Sequence, residues 1–422
     1  MRFPRARRVP CAVFDKPEKN SDPMESSVTL SYDPLDPELW HDPYPTYERL
    51  RDEDPVHFVT GRGFWVLSRF ADVMAATCDT EVFSSAHGLT FEEDEITKLG
   101  LMPTLVMMDR PRHTLYRRLV NAMFTPRAVA EREKAVREFT RARIEHVANS
   151  GEADFVAEVA SPLPSFVVAD FLGVPESDRS SFGTWSSAIV QANASGNVLS
   201  AGQAVSELYG YFTDLAAAKK KQPDNDMISV LLHSDVDGRP VSNEEILGFC
   251  FVMIAGGNDT ASGLIGGTAA LLSDHPDQRR LLAADPTRIP TAVEELLRFL
   301  SPVQGLSRTT LAEVTVGPSD RPVTIPARSK VHLLFASANR DDREFGPSAG
   351  QLDVTRSAAR ALAFSSGPHH CLGAAAARLE GRVVIEELLR AMPDFVVDSA
   401  AGRYAPGAFT RRFEYLPITA NR

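Results

Sequence analysis

The chain has 422 residues, of which 43% are hydrophobic and 24% charged, with a formal net charge of −11. This is the composition of an ordinary globular protein with ample material for a core, and the acidic balance argues against nucleic acid as a partner. Four cysteines (Cys11, Cys78, Cys250 and Cys371) show neither metal-type nor disulfide-type spacing, which suits a reducing cytoplasm. No stretch approaches the roughly 20 uninterrupted apolar residues needed to span a bilayer.

The N-terminus is basic through Arg8, and the apolar run from Val9 to Phe14 contains Pro10 and is too short for a signal-peptide core. A transit peptide is the alternative reading, against which Asp15, Glu18 and Asp22 follow closely. Residues 1–30 therefore read as a mobile tail, with Met24 as an alternative start, and 31–422 as one domain. From about Asp33 to Val56 the chain is punctuated by proline, with a short helix over Tyr44–Arg51. A strand over Phe64–Leu67 and a helix over Arg69–Thr77 follow. Residues 86–108 have weak periodicity and read as a long loop, a kind of segment that is often functional. Next comes Asp109-Arg110-Pro111-Arg112-His113-Thr114-Leu115-Tyr116-Arg117-Arg118, in which His113 and Arg117 share a helix face at i, i+4.

From Ser161 the chain reads as mostly helical, with a second soft region over Ser186–Gly202 and a charged turn from Lys219 to Asp226. Ser242 and Glu245 form a capping box that opens an apolar run reaching about Ser273, where Asp274, His275 and Pro276 stop it. A helix of about 30 residues, ~45 Å long and apolar on most sides, must cross the middle of the protein. Its centre reads Ala255-Gly256-Gly257-Asn258-Asp259-Thr260. Two adjacent glycines weaken a helix by about 1 kcal/mol each, and a buried Asp–Thr pair adds a desolvation cost. Such a sequence fits a place where something approaches the backbone and a proton is handled. The bland alternative is a helix crossing with Asp259 paired to a distant cation.

Thr291 and Glu294 read as a second capping box, in a helix that Pro302 ends and that carries Glu295 and Arg298 on one face at i, i+3. Short strands are expected around Val314, Val323–Ile325 and Val331–Leu334. Near the end stands Phe364-Ser365-Ser366-Gly367-Pro368-His369-His370-Cys371-Leu372-Gly373, followed by Ala377. It puts a cysteine at the end of a kinked loop, directly before an alanine-rich helix whose first N–H groups favour a thiolate. A buried structural cysteine after a glycine turn is the competing reading.

The pattern Phe-x-x-Gly-x-His-x-Cys-x-Gly resembles the haem-ligand loop of the cytochrome P450 superfamily, in which a cysteine thiolate is the axial ligand of iron. The resemblance covers roughly residues 33–420, with the motifs in the family's order. It implies a mainly α fold with a small β region, and a long central helix over haem b (iron protoporphyrin IX). Cys371 would be the metal ligand, in a loop formed with Phe364, Gly367, His369 and Gly373. Gly256 and Gly257 would open a groove for dioxygen, Thr260 would hydrogen-bond the iron-bound oxygen, and Asp259 with water would relay protons. His113, Arg117, Arg308 and His369 would neutralise the haem propionates. Glu295 and Arg298 would be a buried structural pair, with Arg356 a likelier third member than Gln351. Ala338-Asn339-Arg340-Asp341 is similar to another family element, although Asp342 stands where a proline is usual.

The implied activity is a soluble, cytoplasmic, bacterial-type monooxygenase, acting as a monomer. It would insert one oxygen atom from O2 into an apolar small organic substrate. Nothing resembles a fused flavin or iron–sulfur domain, so electrons would come from a ferredoxin or flavodoxin with an NAD(P)H-dependent reductase. Arg110, Arg112, Arg118 and Arg127 would offer that partner a basic patch. A peroxide-driven enzyme and a non-catalytic haem or carrier-protein binding module of the same fold are the alternatives. Asp259 and Thr260 argue against the first, and the intact Cys371 and Gly-Asp-Thr element against the second. Met102, Met107, Met108, Leu306 and Phe409 are candidates for an apolar pocket, though core packing explains them as readily.

Overall fold

The 32-residue helix Asn243–Asp274 organises the fold. In this computed structural model, which describes residues 30–92, 104–195 and 202–420, the helix begins with the expected capping box. The Ser242 hydroxyl accepts from the Glu245 N–H at 3.3 Å, and the Glu245 carboxylate accepts from the Ser242 N–H at 2.8 Å. It stops at His275, before Pro276. Every residue from Ala261 to Ala270 is buried, as an all-round apolar helix requires. Packed on it are the helices Pro162–Leu172, Arg179–Ser195, Ile289–Leu300 and Ala374–Ala391. Tyr32–Arg422 forms one compact unit. The stretch read as a tail lies, up to residue 29, outside the described residues.

The β portion is small. Its main sheet is five-stranded: Val56–Val59 runs antiparallel to Phe64–Leu67, which pairs in parallel with Lys330–Leu333. Lys330–Leu333 pairs antiparallel with Leu306–Thr310, and Phe83–Ser84 completes the edge. Its buried face makes a second core of Val56, Leu67, Phe70, Val331, Leu333 and Phe335. Glu152–Asp154, Val396–Val397 and Pro417–Thr419 form another sheet, and Arg403–Tyr404 pairs with Phe413–Tyr415. Strands of two to five residues are too short to show a period in sequence, so Leu306–Thr310 and the C-terminal strands were not legible there.

Two local expectations are corrected. The helix Ile289–Leu300 starts before Thr291 and has no side-chain cap, so Thr291 and Glu294 do not form a capping box. Pro290 in the first turn sets the start instead. Glu294 is drawn away to Arg378, which donates to it from Nε at 2.5 Å. The Ser186–Gly202 region is helical through Ser195, because the helix packs on the long one and Ser186 is itself buried. Packing overrides the weak propensity of its serines and glycines, and residues 196–201 lie outside the described ones.

Behind the long helix, Glu295 and Arg298 are both fully buried. Arg298 Nε and Nη2 donate to the carboxylate at 2.6 and 2.8 Å, and Nη1 donates to the Asn339 and Ala349 carbonyls. Arg356 Nε reaches Glu295 at 3.2 Å, so the third partner is Arg356 and the Gln351 contact is through its backbone carbonyl.

Candidate active site

The Cys371 loop is held by backbone geometry that the sequence only hints at. Gly367 has φ +66, and an added Cβ there would lie 2.9 Å from the Thr77 carbonyl, so this turn admits no side chain. The Cys371 N–H donates to the Phe364 carbonyl at 2.9 Å, and Arg378 lies over the Phe364 ring at 4.7 Å. Arg117 reaches across from the helix Arg112–Val120 and donates to the Pro368 and His370 carbonyls at 3.2 and 2.7 Å. Ser365 sits at φ +58, ψ −169, and its buried hydroxyl has no hydrogen-bond partner. That region costs a non-glycine residue of order 1–3 kcal/mol. Ser365→Gly is therefore expected to stabilise the protein by about 1 kcal/mol after its own entropic cost. Thermal unfolding of the variant against the parent checks this; an unchanged or lower midpoint refutes it.

Cys371 is exposed as a residue, yet protein atoms crowd its thiol. Enclosure wins the electrostatic contest. Burial pushes the thiol's pKa up, against the downward pull of the Gly373 N–H, Arg117 and Arg378. A bound metal ion would make the thiolate, because a coordinating thiol is deprotonated outright.

Beside the loop lies a basic cluster, with Asp109 the acidic neighbour of His113 and Arg308. The His113 and His369 rings stand 4.2 Å apart, and Arg308, Arg117 and His113 all depress the proton affinity of His369. Burial first, then these neighbours, take His369 down to about 3, and burial, Arg117 and Arg110 take His113 to about 4 against the pull of Asp109. Arg308, only 3% exposed, is pulled to about 10 by burial. Its Nη1 donates to the Ser307 carbonyl, and among the described residues neither Arg308 nor Arg117 is in an ion pair. Two arginines that stay cationic and two histidines pushed toward neutrality, gathered beside a thiol, fit a dianionic group with a metal at its centre, because carboxylates would pair with the arginines and favour protonation of the histidines. The residues present therefore suit haem.

The long helix carries the other residues singled out in the sequence. Gly256 is exposed although Ile254 and Asn258 are buried, and an added Cβ would meet nothing within 4 Å. It faces open space. Thr260, one turn on, donates to the Gly256 carbonyl at 2.8 Å and is not fully buried. Gly257 points elsewhere: a Cβ there would come 2.9 Å from Val168, so this glycine serves a close helix–helix contact and not the groove. The sequence pair thus divides, because residues one apart on a helix point 100° apart. Asp259 is ion-paired with Arg412, the distant cation of the bland reading, and burial nevertheless leaves its pKa raised. Sequence reasoning missed Arg412, which lies 153 residues away, and no local pattern announces it.

Of the pocket candidates, Met108 is 5% exposed and belongs to the main core, and Met102 lies outside the described residues. Leu306 and Met107 are half-buried. Phe409 is half-buried too, stacking on Phe91 at 5.3 Å, which stacks in turn on Phe64 at 4.9 Å. Arg110, Arg112, Arg118 and Arg127 are all exposed. No helix among the described residues is long and apolar enough to cross a membrane.

The family model for cytochrome P450 matches residues 289–393, which span the Glu295–Arg298 pair and the Cys371 loop. Over 405 residues the chain is 47% identical to Cytochrome P450 130 of Mycobacterium tuberculosis, covering 94% of this chain and 99% of that one. It is 37% identical to the Vitamin D(3) 25-hydroxylase of Pseudonocardia autotrophica, covering 94% and 98%. A Mycobacterium marinum cytochrome P450 solved in complex with pseudoionone superimposes with a TM-score of 0.83 at 32% identity, over 93% of this chain and all of that one. A cytochrome P450 from Chondromyces apiculatus gives 0.82 at 32% identity, over 92% and 98%. With this identity along nearly its whole length, and with a thiol, a basic cluster and an open helix face where the geometry puts them, the chain belongs to the cytochrome P450 family of haem-iron monooxygenases.

Proposed function

We propose that the chain inserts one atom of O2 into an apolar small organic substrate, with Cys371 as the ligand of haem b. The second oxygen atom leaves as water, which takes two protons and two electrons, and the electrons come from a ferredoxin or flavodoxin with an NAD(P)H-dependent reductase. Bound haem supplies the oxygen-activating chemistry. The chain's own residues do the rest. His113, Arg117, Arg308 and His369 hold the two propionates, a role supported by their gathering beside the Cys371 loop, where burial lowers the proton affinity of each. Phe364, Gly367 and Gly373 shape the ligand loop, and Gly256 keeps the facing helix clear. The exposed arginines 110, 112, 118 and 127 suit an acidic electron carrier. The free cysteines 78, 250 and 371 suit a reducing cytoplasm.

The observation that carries the O2-dependent reading is the Thr260 hydroxyl on the open face of the long helix, with the Asp259 carboxyl next to it in sequence. An alcohol there can hold a proton at the reacting end, and an acid can resupply it. Thr260→Ala is expected to divert most reducing equivalents to hydrogen peroxide, cutting product per NAD(P)H roughly tenfold while leaving substrate binding within about twofold. Product, peroxide and NAD(P)H measured together under isotopically labelled O2 test both the source of the inserted atom and the role of Thr260. Unlabelled product would overturn the reaction, and unchanged coupling would overturn the residue's role.

A further inference from the structure

Asp259 is not free to carry a proton in the structure. Arg412 Nε donates to its Oδ1, and the two side chains are only 8% and 11% exposed for Arg412 and Asp259. Among the described residues Arg412 is the charged group that acts on this carboxyl. Burial raises Asp259's proton affinity and Arg412 opposes that, by charge and by hydrogen bond. A carboxylate with its oxygen held in an ion pair is a poor proton carrier, so the pair must part for it to work.

The position of Arg412 indicates what parts it. Arg412 ends a short turn that begins at Phe409, and this turn is laced to residues 302–304. The Gln304 N–H donates to the Phe409 carbonyl at 2.7 Å, the Arg411 N–H donates to the Pro302 carbonyl at 2.8 Å, and Val303 bridges to Thr410. Gly263, one turn beyond Asp259, lets the turn lie directly on the long helix: a Cβ there would come 2.9 Å from the Arg411 carbonyl oxygen. At its other end Phe409 joins the stack with Phe91 and Phe64. One four-residue segment thus carries an aromatic ring of the expected pocket wall and the cation that holds Asp259.

A third observation lies on the long helix itself. Asn258 is buried with neither amide atom partnered, and the Ser262 hydroxyl one turn on is buried and unpartnered as well. Orphaned polar groups of this kind are normally met by ordered water. Flanking Asp259 in the helix, they would give it a source of protons.

We propose that Arg412 is a positioning residue that couples the pocket wall to proton supply: it withholds Asp259 while the Phe409–Arg412 turn is at rest, and yields it to water at Asn258 and Ser262 when the turn moves. This rests on reading Asp259 as the proton donor of the proposed reaction. The test is infrared difference spectroscopy of the haem-containing protein across pH, with the Asp259 carboxyl band assigned by its loss in Asp259→Asn. In Arg412→Gln the protonated band should persist to higher pH than in the parent, and Arg412→Lys should restore most of the parent behaviour. Phe409→Ala, which loosens only the far end of the turn, should shift the titration in the same direction by a smaller amount. A parent-like titration in Arg412→Gln, or in Phe409→Ala, overturns the proposal. If instead Asp259→Asn leaves product per NAD(P)H unchanged, the reading of Asp259 as donor fails, whatever Arg412 does to its titration.

Discussion

Cys371→Ser is expected to abolish the strongly red-shifted Soret band that the carbon monoxide complex of the reduced protein should show, and to lower monooxygenase turnover by roughly a hundredfold or more. A serine oxygen of similar size has neither the softness nor the electron-donating power of a thiolate. The fold should hardly notice. The thiol's hydrogen bond is to the Gly373 N–H, a contact a hydroxyl can replace, and the loop is pinned independently by the Phe364 carbonyl, Arg117 and the Gly367 turn. The stability change should stay within about 1 kcal/mol. The two readouts belong together: a lost band with an unchanged unfolding midpoint identifies the ligand, whereas a red-shifted band surviving in the serine variant assigns the iron to another residue. A parallel collapse of fold and spectrum would make Cys371 structural.

Glu295→Gln should do the opposite, leaving the iron ligand untouched and destabilising the protein by about 3–5 kcal/mol. Removing one partner of a buried pair strands the other's charge. The Arg298 side chain is fully buried, and the Asn339 and Ala349 carbonyls that it also touches cannot neutralise it. Glutamine keeps the volume and one acceptor, so the measurement isolates the charge. Arg356 then loses its anion too, and the Asp353 N–H that now binds Glu295 at 3.1 Å keeps only an amide oxygen. Denaturant unfolding with haem content followed in parallel reads the effect, and a loss below 1 kcal/mol would show that the neighbouring carbonyls carry the arginine without the carboxylate.

The long helix and the Cys371 loop were legible in the sequence because their signals are local. Ser242 and Glu245 contact each other across one helical turn, and Gly367 and Gly373 bracket a cysteine within ten residues. The Glu295–Arg298 pair was legible for the same reason, at i, i+3. Its complete burial was not, since that depends on carbonyls from 339, 349 and 351 arriving from elsewhere.

What the sequence determined by itself was therefore the family and the mainly helical architecture, together with the candidate residues for haem, all written in short spacings that backbone geometry makes meaningful. What only tertiary structure decided was how those residues divide their work. Gly256 faces open space while Gly257 is spent against Val168, Asp259 is held by Arg412 from the other end of the chain, and burial and the Gly373 N–H pull the Cys371 thiol in opposite directions. Each of these turns on distance and desolvation between segments far apart in sequence, and both quantities exist only once the chain has packed.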